Sequence, residues 1–325
     1  MHPAFSVIFL TTLIGVGQGL FLALFTVESY AAFGLLPAQE GRFYALGSAV
    51  ALGFLAAGLV ASFFHLGHPE RAWRAAAMWR TSWLSREVIV LPAFMGAAFL
   101  YGAAHFVGFN PVLMRLPSGA PVNVSAILGV AGSMLAFTLF VCTGMIYACL
   151  RFLQEWHTPL TVINYTLLGG ASGFVLATAL SASAAPEVTG FYAGWAMILT
   201  ALALVGRIAS LLRNARLRPK STLRTAIGVK HPRIVQKAQG AMGGSFNTRE
   251  FFHGRTPAFL RQLKWIFLLL AFVVPVGLLA GGSATGSGTL LLVAFAVQYL
   301  GLLAERWFFF AQANHPQNLY YQAVS

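Results

Sequence analysis

Long apolar runs alternate with short polar breaks along the whole chain. Eight runs stand out: Phe5–Phe25, Phe43–Phe64, Val88–Val107, Ser125–Leu150, Leu160–Leu180, Gly190–Leu212, Trp265–Gly282 and Gly286–Leu303. Each is close to or above the ~20 apolar residues with which a helix crosses a bilayer. A helix also satisfies its own backbone polar groups, which lipid cannot do. None of the runs alternates with the period of two that a membrane barrel strand requires. The pattern therefore predicts an all-α integral membrane protein with eight transmembrane helices. The first run lacks a basic leader and a small-residue cleavage site, so it is expected to be an uncleaved span. Trp265 and Trp307 flank the last two runs, where interfacial aromatics belong.

Composition sharpens this picture. The 325 residues are 58% hydrophobic and 9% charged, with a mean hydropathy of +0.74. Soluble domains carry roughly a quarter charged residues, so a soluble enzyme and a disordered chain are both excluded. Two cysteines rule out a disulfide scaffold and a cluster held by four thiolates of this chain. A net charge of +13 would suggest nucleic acid in a soluble protein, but its placement here serves topology and no nucleic-acid partner is expected. Eight spans put both termini on one face, face A, together with the loops after spans two, four and six. Of the 21 Lys and Arg, only Arg42 and Arg115 fall on the opposite face B. The positive-inside rule then makes face A cytoplasmic, with both termini inside. The expected location is a bacterial inner membrane.

Residues 1–325 read as a single membrane domain, with 213–259 as a basic cytoplasmic loop between helices six and seven. This loop contains Pro219, Pro232 and Pro257 and the run Gly240-Ala241-Met242-Gly243-Gly244, and a short helix is expected around Pro232–Gln239. Contact with anionic lipid headgroups and docking of a cytoplasmic partner both fit its charge. The chain has no evident internal repeat.

Candidate chemistry is sparse, because the chain has no aspartate and eight glutamates. Glu28, Glu40 and Glu187 fall at face B, where solvated helix ends account for them. Glu70, Glu155, Glu250 and Glu305 lie near arginines of face A and fit ion pairs. Glu87 differs, since it follows Arg86 directly into span three, within Trp83-Leu84-Ser85-Arg86-Glu87. A helix N-terminus favours a carboxylate there, and Ser85 is a candidate N-cap. Span two ends in His65-Leu66-Gly67-His68-Pro69-Glu70-Arg71 on the same face. The following stretch to Arg80, with Trp73 and Trp79, reads as an interfacial helix that brings His65 and Glu87 together. A pocket of that kind suits a quinone. Reduction to the quinol needs hydrogen-bond donors at two carbonyls, an apolar slot, and groups that carry protons. Phe63, Phe64, Trp79 and Trp83 are candidate walls, although each alone is also an ordinary belt aromatic.

Other chemistries fit less well. A membrane cytochrome needs facing histidine ligands, and only His105 lies within a span, with no evident partner, so no haem and no metal are expected in this chain. Cys142 and Cys149 sit about 10 Å apart on one helix face, too far for a disulfide. Gly169 and Gly173 have the spacing of close helix packing. The Gly281–Gly288 stretch reads as a short connection on face B.

The His65–Ala72 stretch followed by Arg80-Thr81-Ser82-Trp83-Leu84-Ser85-Arg86-Glu87 resembles the dimethyl sulfoxide reductase membrane-anchor (DmsC) family, most closely its sulfite dehydrogenase branch. The likeness extends to Met1–Ile8, Glu155–Thr161, Asn247–Phe252 and Glu305-Arg306-Trp307. It implies an eight-helix, haem-free anchor that exchanges electrons with the quinone pool. The implied partners are a molybdopterin catalytic subunit and a four-cluster iron–sulfur subunit. By motif position it implies His65 and Glu87 at the quinone site; His68, Arg71, Arg86 and Trp83 are added as their neighbours. In such reductases the catalytic subunits face the periplasm over this motif. Here the motif-bearing face carries the positive charge, which points to cytoplasmic partners and to sulfite oxidation. The chain would then be the quinone-reacting subunit and not catalytic for sulfite alone. An anchor for another molybdopterin oxidoreductase, a secondary transporter and a purely structural tether are the alternatives.

Overall fold

A computed structural model describes residues 1–218, 222–231, 233–235 and 252–316. Among these, the spanning helices are α1 (Phe5–Ala32), α2 (Gly41–Phe63), α3 (Trp83–Phe106), α4 (Val124–Ala148), α5 (Pro159–Ala184) and α6 (Thr189–Ala215). After the short α7 (Leu223–Ile227), span seven is built from α8 (Pro257–Leu268), a π-helical turn (Leu269–Val273) and α9 (Val274–Thr285), and span eight is α10 (Gly288–Ala311). Eight helices are thus long and apolar enough to cross a membrane, as the runs predict. Of the short helix expected around Pro232–Gln239, residues 233–235 are described and are not helical; the rest of that stretch, the Gly240–Gly244 run and Asn247–Glu250 lie outside the described residues.

Two helix ends move because polar residues are buried there. The first apolar run stops at Phe25, yet α1 continues to Ala32 because Glu28 and Ser29 find hydrogen bonds inside the protein. The last helix runs past Leu303 to Ala311, since Glu305 and Arg306 are buried and paired. Gly281–Thr285 is helical, and the face-B connection shrinks to Gly286, in the left-handed region at φ +66°, and Ser287.

The hydrophobic core gathers around α1, which packs against α2, α4 and α5. Its crossing with α5 is built from glycines. A Cβ on Gly173 would lie 2.0 Å from the carbonyl carbon of Gly19, and one on Gly19 would lie 2.1 Å from the Gly169 oxygen. This is the close approach expected from the Gly169/Gly173 spacing.

Span seven widens for a reason visible in its sequence. Pro275 has no N–H to give the Ala271 carbonyl one turn earlier. The π-helical turn sits there, and Gln298 of α10 donates its Nε2–H to the Ala271 oxygen at 3.2 Å. At face A the N-terminal ammonium donates to the Ala313 carbonyl at 2.7 Å, which fixes the start of α1 beside the end of α10. At face B, α3 and α4 are joined by a hairpin, β1 (Val112–Arg115) with β2 (Pro121–Asn123), that the hydrophobic pattern does not announce.

Candidate functional site

The link between α2 and α3 is a 3-10 helix, Pro69–Met78, with no buried residue, and it packs on α3. It occupies the stretch expected as an interfacial helix, Arg71–Arg80, starting and ending slightly earlier. Ser82, not Ser85, is the N-cap of α3, accepting from the Ser85 N–H at 3.3 Å. Ser85 is itself buried one turn into the helix. Arg86 locks this corner. Its guanidinium donates to the carbonyls of Trp79 (2.9 Å) and Arg80 (2.8 Å) and lies 4.2 Å over the Trp83 ring. It therefore acts as a clamp between the 3-10 segment and α3, at least as much as a free charge.

One residue past this clamp, Glu87 is buried and turns towards α4, where its Oε1 accepts from the Thr143 hydroxyl. Sequence reasoning misses Thr143, because a threonine in an apolar run carries no signal of its own. His65 stays exposed on the loop after α2, and no hydrogen bond or ion pair joins it to Glu87 among the described residues. Partial desolvation holds its imidazole below the usual histidine range, so it is neutral near pH 7 and can accept a proton. His68 and Arg71 are also exposed and share Glu70, at 3.0 Å and 3.6 Å. The structure thus places all six predicted site residues on one corner of face A, with only Glu87 inside the bundle. Phe64 and Trp79 are exposed there too, as membrane-facing aromatics would be.

Two polar centres depart from expectation. Glu28 is not a solvated face-B end: it accepts from Tyr101 Oη at 2.6 Å and from Ser125 Oγ. His105 Nε2 lies 3.3 Å away, so the one histidine within a span has a carboxylate for a partner. This pair lines a cavity of about 1060 Å³ with Phe25, Tyr44, Ser125 and Met134, at the opposite end of the bundle from Glu87. The second centre is Arg207, Glu305 and Arg306. Arg207 and Arg306 count as face-A charges in the sequence, yet both are buried between α5, α6 and α10, and Arg207 Nε lies 2.8 Å from Glu305 Oε1. The available signal is their position inside otherwise apolar stretches.

Comparison with known proteins decides the family. The family model described as DMSO reductase anchor subunit (DmsC) matches residues 1–309. The chain belongs to this family. It is also 60% identical, over 325 residues and 100% of both chains, to a subunit of the sulfite dehydrogenase of Allochromatium vinosum. Both the family and the sulfite dehydrogenase branch read from the His-Leu-Gly and Leu-Ser-Arg-Glu stretches are borne out. This DmsC-family chain is accordingly a multi-pass membrane protein of the anchor class, and the buried Glu87 with its Thr143 partner is the feature of that corner that calls for a chemical role.

Proposed function

We propose that this chain is the membrane anchor and quinone-reacting subunit of a sulfite dehydrogenase. Its partners are a molybdopterin catalytic subunit and an iron–sulfur subunit docked over His65 and Glu87 on the cytoplasmic side of the inner membrane. The partner oxidises sulfite with water to sulfate, releasing two electrons and two protons. The quinone takes two electrons and two protons to become the quinol. The carrying observation is Glu87, a carboxylate buried one turn into a spanning helix beside the clamped 3-10 segment. An ionisable group kept at that depth is costly and calls for a functional role.

Glu87 is suited to give a proton to a quinone oxygen, and the neutral His65 to donate its ring N–H to the other carbonyl. Trp83 and Arg86 shape the entrance, since the stacked guanidinium presents an apolar and a cationic surface together. The basic segment between α6 and α8 supplies further positive charge for partner or headgroup contact.

Sulfite-dependent quinone reduction in inside-out vesicles tests this reading. Vesicles carrying the complete complex are expected to reduce quinone, and those lacking this chain are not. Glu87→Gln, close in shape but unable to carry the proton, is expected to slow turnover about 100-fold while the complex still assembles. Normal turnover in that variant would remove Glu87 from the proton chemistry.

A further inference from the structure

The interior between α5, α6 and α10 holds charge that the quinone chemistry leaves unused. Arg207, Glu305 and Arg306 are all buried. The Arg306 Nη2 lies 3.5 Å from Glu305 Oε2, and its guanidinium sits 3.8 Å over the Tyr165 ring. Two guanidiniums share one carboxylate, an arrangement that is stable inside a membrane only when the remaining polar atoms are satisfied.

Protein groups do not satisfy them. Asn164 Oδ1, Arg207 Nη2, Arg306 Nε and Gln312 Nε2 are buried without a hydrogen-bond partner among the described residues. All four residues line one cavity of about 10 Å³, together with Glu155 and Tyr165. A second cavity of about 20 Å³ is lined by Thr11, Thr12, Gln18, Thr143, Tyr165 and Arg306. A water needs roughly 10–15 Å³ of such space and two to four polar partners, so each cavity is of the order of a single water. Tyr165 and Arg306 form walls of both. Thr143, in the wall of the second, donates to Glu87. Glu155, in the wall of the first, is only half-buried and opens it towards face A.

We propose that water fills both cavities and that the string Glu155, water, Tyr165, water, Thr143 returns to Glu87 each proton it gives up. The proposal rests on the quinone reading above and adds the route by which the proton arrives. For every proton passed from Glu87 to a quinone oxygen, one is taken up at Glu155 from face A, and no electron travels along the string. Thr143 hands its hydroxyl proton to Glu87 while taking another from the adjacent water, so it ends unchanged. The guanidiniums keep their protons. They hold the waters in place and leave the hopping to Tyr165, Thr143 and water. With two guanidiniums to one carboxylate, the cluster favours a proton deficit over an excess proton, so transfer begins at the Glu87 carboxylate and the deficit moves outward.

The test uses the assembled complex and the variant Tyr165→Phe, which removes only the hydroxyl between the cavities. Sulfite-dependent quinone reduction is expected to slow about tenfold or more, with a larger solvent deuterium isotope effect. KM for quinone is expected to stay unchanged, as is sulfite oxidation with an artificial electron acceptor. A purely structural loss would lower the amount of complex and leave the isotope effect alone. Should Tyr165→Phe fail to assemble, Glu155→Gln at the outer end replaces it, with the same slowing expected. Wild-type rate and isotope effect in the assembled variant, while Glu87→Gln is slow, would overturn the water string and leave the quinone reading standing. Wild-type turnover in Glu87→Gln as well would overturn both.

Discussion

At the scale of single residues, burial separates the ionisable groups that matter from those that decorate the surface. His253 shows this outside the membrane helices. Its ring is buried against Trp307, and its Nδ1 accepts from the Arg255 N–H at 3.0 Å, which requires the neutral form. Burial, and then the positive N-terminus, His2 and Arg255, push its pKa down to about 4. An unfolded histidine titrates near ~6.5, so below that pH the detached segment binds more protons than the docked one. Docking of residues 252–256 is therefore at full strength above pH ~6.5 and is lost progressively as pH falls towards about 4. Amide exchange of that segment, corrected for intrinsic rates, is expected to rise over this window, and His253→Gln is expected to flatten the rise. Glu87 belongs to the same scale, and there the sequence is informative, because a glutamate at the very start of an apolar run is legible as an anomaly. Glu28 is not, since its neighbours Tyr101, Ser125 and His105 come from distant stretches and only the fold brings them together.

Among the elements, apolar length and helix-breaking residues specify the spans, while small residues specify how they cross. Gly173→Ala places a methyl 2.0 Å from the Gly19 carbonyl carbon, where backbone would have to move. It is expected to destabilise the α1–α5 crossing by about 1–3 kcal/mol, read as a lower unfolding temperature in detergent. Gly96→Ala, whose added methyl meets nothing within 4 Å, is the matched control and is expected to be neutral or slightly stabilising. A Gly173→Ala variant as stable as that control would show that the two helices do not pack as described. The glycine spacing is readable in the sequence, but its partner helix is not. The π-helical turn is hidden for a related reason: Pro275 announces a missing donor, whereas the compensating Gln298 lies on another helix. The β1–β2 hairpin escapes because its few residues lie between two long apolar runs whose periodicity dominates any window.

Taken whole, the molecule divides its charge between two faces, and that division carries the functional argument furthest. The corner with His65 and Glu87, the ends of α4 and α6, and Met1 beside Ala313 share face A, whereas the hairpin turn at Gly119 and the Glu28–His105 cavity lie at face B. Losing Arg207 and Arg306 to the interior leaves the bias in surface charge intact, so on the proposed reading face A is still the face expected in the cytoplasm by the positive-inside rule. A reporter active only outside the cytoplasm is expected to be silent when fused after the last residue and active when inserted at Gly119. That orientation has an energetic consequence. If sulfite oxidation releases two protons on face A and quinone reduction takes two from the same face through Glu155, the reaction moves no net charge across the membrane. Inside-out vesicles oxidising sulfite with a soluble quinone analogue are then expected to show no membrane potential on a voltage-sensitive dye, even at full turnover. A potential that scales with sulfite turnover would mean that protons reach the quinone from face B, which would shift attention to the Glu28–His105 cavity as the proton entrance.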